Sequence, residues 1–268
     1  MAASTEFIRY EVTDPVATIT LNRPEVLNAF HYPMLAEIRA AIEAASADPA
    51  VVGTVITGEG RGFCAGLDAS VLAATTEGRS EGRPAISEDQ LPGLFSYFTQ
   101  QPKPIIAAVN GVTAGGGFVL AAMSDLRFAS TQAAFTVVFS KRGLVAEHGS
   151  TWLLPRQVGL GAALDLLWSS RKIDAAEAYR IGLVEQVVEP AELLPTARAY
   201  IEDLAANVSP ASIADTKKMV YAHVGEALRP SLLDADEYTW AAVGRTDAKE
   251  GAQSLLERRP PKFDRLGG

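Results

Sequence analysis

The chain has 268 residues, 48% hydrophobic and 21% charged, which fits a soluble globular protein able to bury one large core. Its net charge of -8 argues against broad nucleic-acid binding, although a few amides and local cations suffice for a phosphate-bearing ligand. The single cysteine, Cys64, excludes an intramolecular disulfide and points to a reducing, cytoplasmic setting; no secretory leader, membrane-spanning apolar run or internal repeat is read.

The β-branched run Val16–Leu21 predicts a strand that stops at the turn signal Asn22-Arg23-Pro24. Residues 34–45 have helical spacing, with Leu35, Ile38 and Ile42 on one face. Residues 51–57 predict a second strand, followed by the loop GEGRGFCAG. Residues 75–92 are polar and glycine-rich and read as a long loop able to serve as a lid. Residues 104–109 predict a third strand, almost wholly apolar, as in a sheet covered on both faces. From Gly159 onward helices are predicted over 160–169, 175–181, 191–206, 209–224 and 232–243. The tail 258–263 cannot be helical at Pro260 and Pro261, and is expected to extend over a surface, its own or a partner's. An α/β core followed by a helical region is the expected fold class.

Two glycine-centred loops each follow a strand and lead into a predicted helix: Phe63-Cys64-Ala65-Gly66-Leu67-Asp68 and Ala114-Gly115-Gly116-Gly117. The first amides of a helix lack internal partners and carry the positive end of its dipole. Two such junctions on neighbouring strands can aim two N–H groups at one oxygen, forming an oxyanion hole. The glycine run either clears space for an acyl carbonyl or packs a buried helix against a strand; both readings stand on spacing alone. A phosphate cradle is disfavoured, because neither GxxxxGK[ST] nor GxGxxG is present.

GRGFCAGLDAS, PIIAAVNGVTAGGGFVLAAMSDLRFAS, KRGLVAEHGSTWLLPRQVG and YRIGLVEQVV together resemble the crotonase (enoyl-CoA hydratase/isomerase) superfamily, over almost the whole chain. The resemblance implies a spiral of ββα units over 1–200 that holds an acyl-CoA site. It also implies a C-terminal helical region and tail over 201–268, used to form a homotrimer or a dimer of trimers. No resident cofactor or metal is implied, since coenzyme A belongs to the thioester substrate. The oxyanion amides would be those of Leu67 and Gly116. Ala65, Gly66, Asp68 and Gly115 would border the thioester. Arg23, Lys262 and Phe263 would contact the coenzyme, or else serve as solvated charges or packing residues. Val119, Phe139 and Trp152 would line the acyl chain.

Hydratases of the superfamily use two glutamates, and the corresponding positions here are the apolar Val119 and Phe139. Between Gly115 and Leu160 the acidic residues are Asp125, read as structural, and Glu147. Glu147 matches the position of a single catalytic acid in 3-enoyl-CoA isomerases, and one carboxylate suffices for a 1,3-proton shift. Its structural alternative is a carboxylate favoured by a helix N-terminus. His148 is expected to point away from its neighbour, His31 and His223 to be surface or packing residues, and Cys64 to lack a histidine partner. Enoyl isomerisation with Glu147 as acid/base is therefore the leading expectation. Hydratase, dienoyl-CoA isomerase, thioester hydrolase and non-catalytic acyl-CoA binding are the alternatives.

Overall fold

The computed structural model describes residues 5–71 and 91–267. The expected lid at 75–92 therefore falls, except for Leu91 and Pro92, outside the described residues.

The run Val16–Leu21 forms β2, as its β-branched composition predicts. It pairs antiparallel with β1 (Ile8–Thr13) and parallel with β3 (Gly53–Gly58). Beyond β3 the large sheet continues through β5 (Ile105–Val109), β7 (Leu126–Ser130) and β10 (Gln186–Val188), all parallel. A second, smaller sheet has the order β4 (Gly62–Cys64), β6 (Val112–Ala114), β8 (Ala134–Thr136), β9 (Ile173–Asp174). Strands β3, β5 and β7 advance along the large sheet while β4, β6 and β8 advance along the small one. Each repeat thus lends one strand to each sheet, and helix α2 (Gly116–Met123) closes the second repeat. This is the expected spiral of ββα units.

Period-two alternation sends successive residues of the large sheet to opposite faces. Val55, Ile106, Ala108 and Phe128 pack against Leu193, Ala197 and Ile201 of the helix Leu193–Asn207. Ile56, Ile105, Ala107 and Val109 face the larger core, with Phe30, Phe63 and Phe118, and with Met34 and Ile38 of α1 (Tyr32–Ala47). Both faces are buried against apolar side chains, which is why these strands read as unbroken apolar runs.

The region after Gly159 is not wholly helical. β9 and β10 lie within it, and β10 adds a strand to the large sheet. Both are too short to show a period, and their pairing is long-range. Helices α3 (Ser150–Val158), α4 (Leu160–Ser169), α5 (Ala175–Arg180), α6 (Leu193–Asn207), α7 (Pro210–His223), α8 (Leu228–Val243) and α9 (Thr246–Glu257) follow α2. Helix α6 runs unbroken through residue 200 while covering one face of the sheet. Helix α8 starts a turn earlier than its apolar spacing predicts, and α9 adds a helix beyond those expected.

Asp125 has the structural role read from sequence. Its carboxylate accepts from the Ile105 amide (2.7 Å), Lys217 Nζ (2.7 Å) and the Tyr221 hydroxyl (3.0 Å), tying α7 to the end of the sheet. No described helix is long and apolar enough to cross a membrane.

Candidate active site

Phe30 forms an isolated parallel bridge with Leu67. Its amide donates to Gly66 O (2.8 Å), and its carbonyl accepts from the Asp68 amide (2.9 Å). Both bonds run to the residues flanking Leu67. A trans peptide carries its N–H opposite its C=O, so the Leu67 N–H points away from Phe30. Gly116 is the first residue of α2, where no amide has an intrahelical acceptor. Neither the Leu67 nor the Gly116 amide donates to a backbone carbonyl among the described residues.

The two loops touch. A Cβ built on Gly66 would lie 2.7 Å from Ala114 O and 3.1 Å from Gly116 N, and Gly66 has φ +94°. A Cβ on Gly117 would meet Cys64 O at 2.1 Å, and one on Gly116 would meet the Phe30 ring at 2.3 Å. The glycine run therefore packs the start of α2 against β4 and Phe30. Of the two readings left open by spacing, close packing is the one with direct contacts behind it. Close packing also sets Gly66, the neighbour of Leu67, against Gly116 at the start of α2.

Glu147 lies in the loop from Phe139 to α3. Gly149 (φ +84°), not Glu147, is the N-cap of α3, and a Cβ there would strike Met123 at the end of α2. The Glu147 carbonyl accepts from Ser150 N (3.0 Å) and Oγ (2.7 Å), which fixes the backbone. Its side chain is 37% exposed, and its Oε2 lies 3.2 Å from His148 Nε2. No described backbone amide donates to the carboxylate, so it is not held as a helix cap. His148 departs from expectation: its backbone is left-handed (φ +53°), and its imidazole lies beside the Glu147 carboxylate. Burial pulls the His148 imidazole below its ordinary value, and the Glu147 carboxylate opposes the shift.

Val119 and Phe139 are both buried in the larger core, 1% and 7% exposed. Trp152 stands outside that cluster, with the Arg156 guanidinium over its ring. The Ala65 amide donates to Leu27 O, and the Gly115 amide to Thr136 O, so both are committed to the scaffold. Arg23 pairs with Asp68 (3.1 Å) and donates to Ala29 O (2.6 Å). Lys262 is exposed, with its backbone amide on Glu250 (2.7 Å), while Phe263 lies against Gly251. Arg265 reaches Asp14 of the same chain, so this end of the tail runs over its own protomer. Cys64 is fully buried, its thiol donating to Asn28 O; burial pushes its pKa up to about 12. His31 caps α1 through Nδ1, and His223 pairs with Asp234.

Sequence reasoning passed over Asn28. It is fully buried with φ +57°, and its side chain donates to Glu59 O (3.0 Å) and Gly62 O (2.8 Å) and accepts from Arg23 N (2.8 Å). Asparagine tolerates the left-handed region, and an Asn soon after the turn signal Asn22-Arg23-Pro24 was the available signal.

The Leu67 and Gly116 amides, with no hydrogen-bond acceptor among the described residues, lie on two touching loops that follow β4 and β6. The profile of the enoyl-CoA hydratase/isomerase family matches residues 11–265, and the chain belongs to that family of acyl-CoA enzymes. It is 34% identical to the 1,2-epoxyphenylacetyl-CoA isomerase of Escherichia coli, covering 96% of this chain and 98% of that one. It is 35% identical to the crotonyl-CoA hydratase of Syntrophomonas wolfei, again over 96% and 98%. The crystal structure of an enoyl-CoA hydratase/isomerase from Mycobacterium paratuberculosis superposes with a TM-score of 0.88 at 30% identity, covering 97% and 99% of the two chains.

Proposed function

We propose that the protein isomerises a 3-enoyl-CoA to a 2-enoyl-CoA. Glu147 removes the proton from C2, and the electron pair delocalises onto the thioester oxygen. The Leu67 and Gly116 amides hold that oxygen, and Glu147 returns the proton at C4 as the double bond moves from C3–C4 to C2–C3. One oxyanion donor of this kind contributes about 10²–10³ in rate. The observation that carries the reading is the half-exposed carboxylate of Glu147, on a loop braced against α2, while Val119 and Phe139 are apolar and buried. Lys262 and Phe263 are the proposed coenzyme contacts, and Val119, Phe139 and Trp152 the proposed acyl-side residues.

Hydration is the second reading. It is favoured by His148, which places a second titratable group 3.2 Å from Glu147, and by relatives named as hydratases. The two are separated by following a 3-enoyl-CoA in deuterated water, with hydrated product assayed in the same tubes. Double-bond migration with Glu147→Gln slowed by about 10²-fold or more, at unchanged ligand binding, supports isomerisation. Dominant hydration, or an unimpaired Glu147→Gln, overturns it.

A further inference from the structure

Arg23 follows β2, in a turn whose geometry is closed from within. Its amide donates to Asn28 Oδ1 (2.8 Å), and its carbonyl accepts from the Asn28 amide (2.8 Å). Asn28 is in turn anchored to the start of β4 through Gly62 O. The guanidinium therefore springs from a rigid base. Its Nη1 donates to Ala29 O (2.6 Å) and its Nη2 to Asp68 Oδ2 (3.1 Å). The two side chains are 16% and 18% exposed.

These bonds form a directed chain. Ala29 C=O and Phe30 N–H belong to one peptide unit. That N–H donates to Gly66 C=O, which shares a peptide unit with the Leu67 N–H. A cation thus stands at the head of two hydrogen-bonded peptides, and the Leu67 amide is their free end. Each bond in such a chain polarises the next, and low exposure limits screening by water. Gly66, at φ +94°, lies in the left-handed region that favours glycine, and a Cβ there would press on Ala114 O at 2.7 Å. Asp68 fixes the other side. Its Oδ2 holds the guanidinium, while its Oδ1 accepts from the Ser70 amide (3.0 Å) and hydroxyl (2.8 Å). The Ser70 bonds first, and then Arg23, keep the Asp68 carboxyl below its ordinary value and hence ionised as the clamp requires.

We propose that Arg23 is a positioning residue for the Leu67 oxyanion donor, acting through the peptide units 29–30 and 66–67, with Asp68 holding its guanidinium in place. The inference rests on the reading of Leu67 N–H as an oxyanion donor. It differs from the family-derived expectation that Arg23 touches the coenzyme, which would act on binding.

The test uses butanoyl-CoA carrying ¹³C at the thioester carbonyl, bound to the native protein, Arg23→Met, Arg23→Lys and Asp68→Asn. Infrared difference spectra read the polarisation of the bound carbonyl, and deuterium exchange at C2 reads saturating rate and KM. In the native protein the carbonyl band should shift to lower frequency on binding. Arg23→Met should shrink that shift and lower the saturating rate by about tenfold, with KM moving by no more than about twofold. Arg23→Lys, which keeps a cation beside Ala29 O, should recover part of both. Asp68→Asn, which keeps an acceptor for the Ser70 amide, should fall in the same direction. A raised KM with an unchanged carbonyl shift in Arg23→Met overturns the proposal in favour of a coenzyme contact. If Arg23→Met does not fold, the Lys and Asn variants decide by the same readouts: native shifts in both overturn it. A native protein that leaves the carbonyl band unmoved removes the oxyanion reading itself, an outcome distinct from failure of the Arg23 relay.

Discussion

At the scale of single residues, the site depends on atoms that are absent. Gly117 is closed to a side chain by the Cys64 carbonyl at 2.1 Å, and backbone cannot yield as a flexible side chain can. Gly117→Ala should therefore cost about 1–3 kcal/mol in denaturant unfolding, the usual range for overpacking, and should also slow C2 exchange by parting the two loops. A Cβ on Gly161 in α4 would meet nothing within 4 Å; there the same change should stabilise by about 0.5–1 kcal/mol and leave exchange untouched. Equal effects at the two positions would contradict the packing account. The glycine triplet was conspicuous in sequence, but whether it made room for a ligand or for a strand was not legible. The contacts of Gly116 and Gly117 come from Phe30 and Cys64, which lie far away in the chain.

At the scale of elements, the C-terminal end is held by a charge cluster. Glu250, on α9, accepts from Arg259 Nη1 and Nη2 and from the Lys262 amide, and these hold its carboxyl down at about 2 from an ordinary 4.5. A depressed carboxyl contributes stability above pH 4.5 that is lost as the pH falls towards 2. Hydrogen exchange of the 246–263 segment should thus accelerate across that window before the sheet loosens, and Glu250→Gln should remove the pH step. A step that survives the substitution would place the titration elsewhere. Elements also mark where pattern reading succeeds. Strand β2 and helix α4 match their predicted bounds: β2 buries Val16, Ala17, Ile19 and Leu21, and α4 sets Ala163, Leu166 and Leu167 against the larger core at helical spacing. Strands β4, β6 and β9, of two or three residues each, leave no period to detect.

At the scale of the whole molecule, α8 contains no buried residue, yet Leu228, Leu232, Leu233 and Trp240 stand more than half exposed on it, and Leu255 and Leu256 do so on α9. An apolar surface of that extent favours association. Sedimentation at micromolar concentration is expected to give three chains or six, and Trp240→Glu should shift the mass downward while helical content persists; a native monomer would refute the expected assembly. The amino-acid sequence by itself determined the fold class, the two glycine junctions and the candidacy of Glu147. The first two are written in local composition, as unbroken apolar strands and turn glycines; the third came from the resemblance, which sets a single catalytic acid at Glu147 and finds the hydratase positions Val119 and Phe139 apolar. Only the tertiary structure decided that Arg23 heads a chain of peptide dipoles ending at Leu67, that His148 turns onto Glu147, and that β10 returns from a helical region to complete the sheet. Those facts depend on hydrogen bonds and backbone angles set by residues distant in sequence, which no local pattern records.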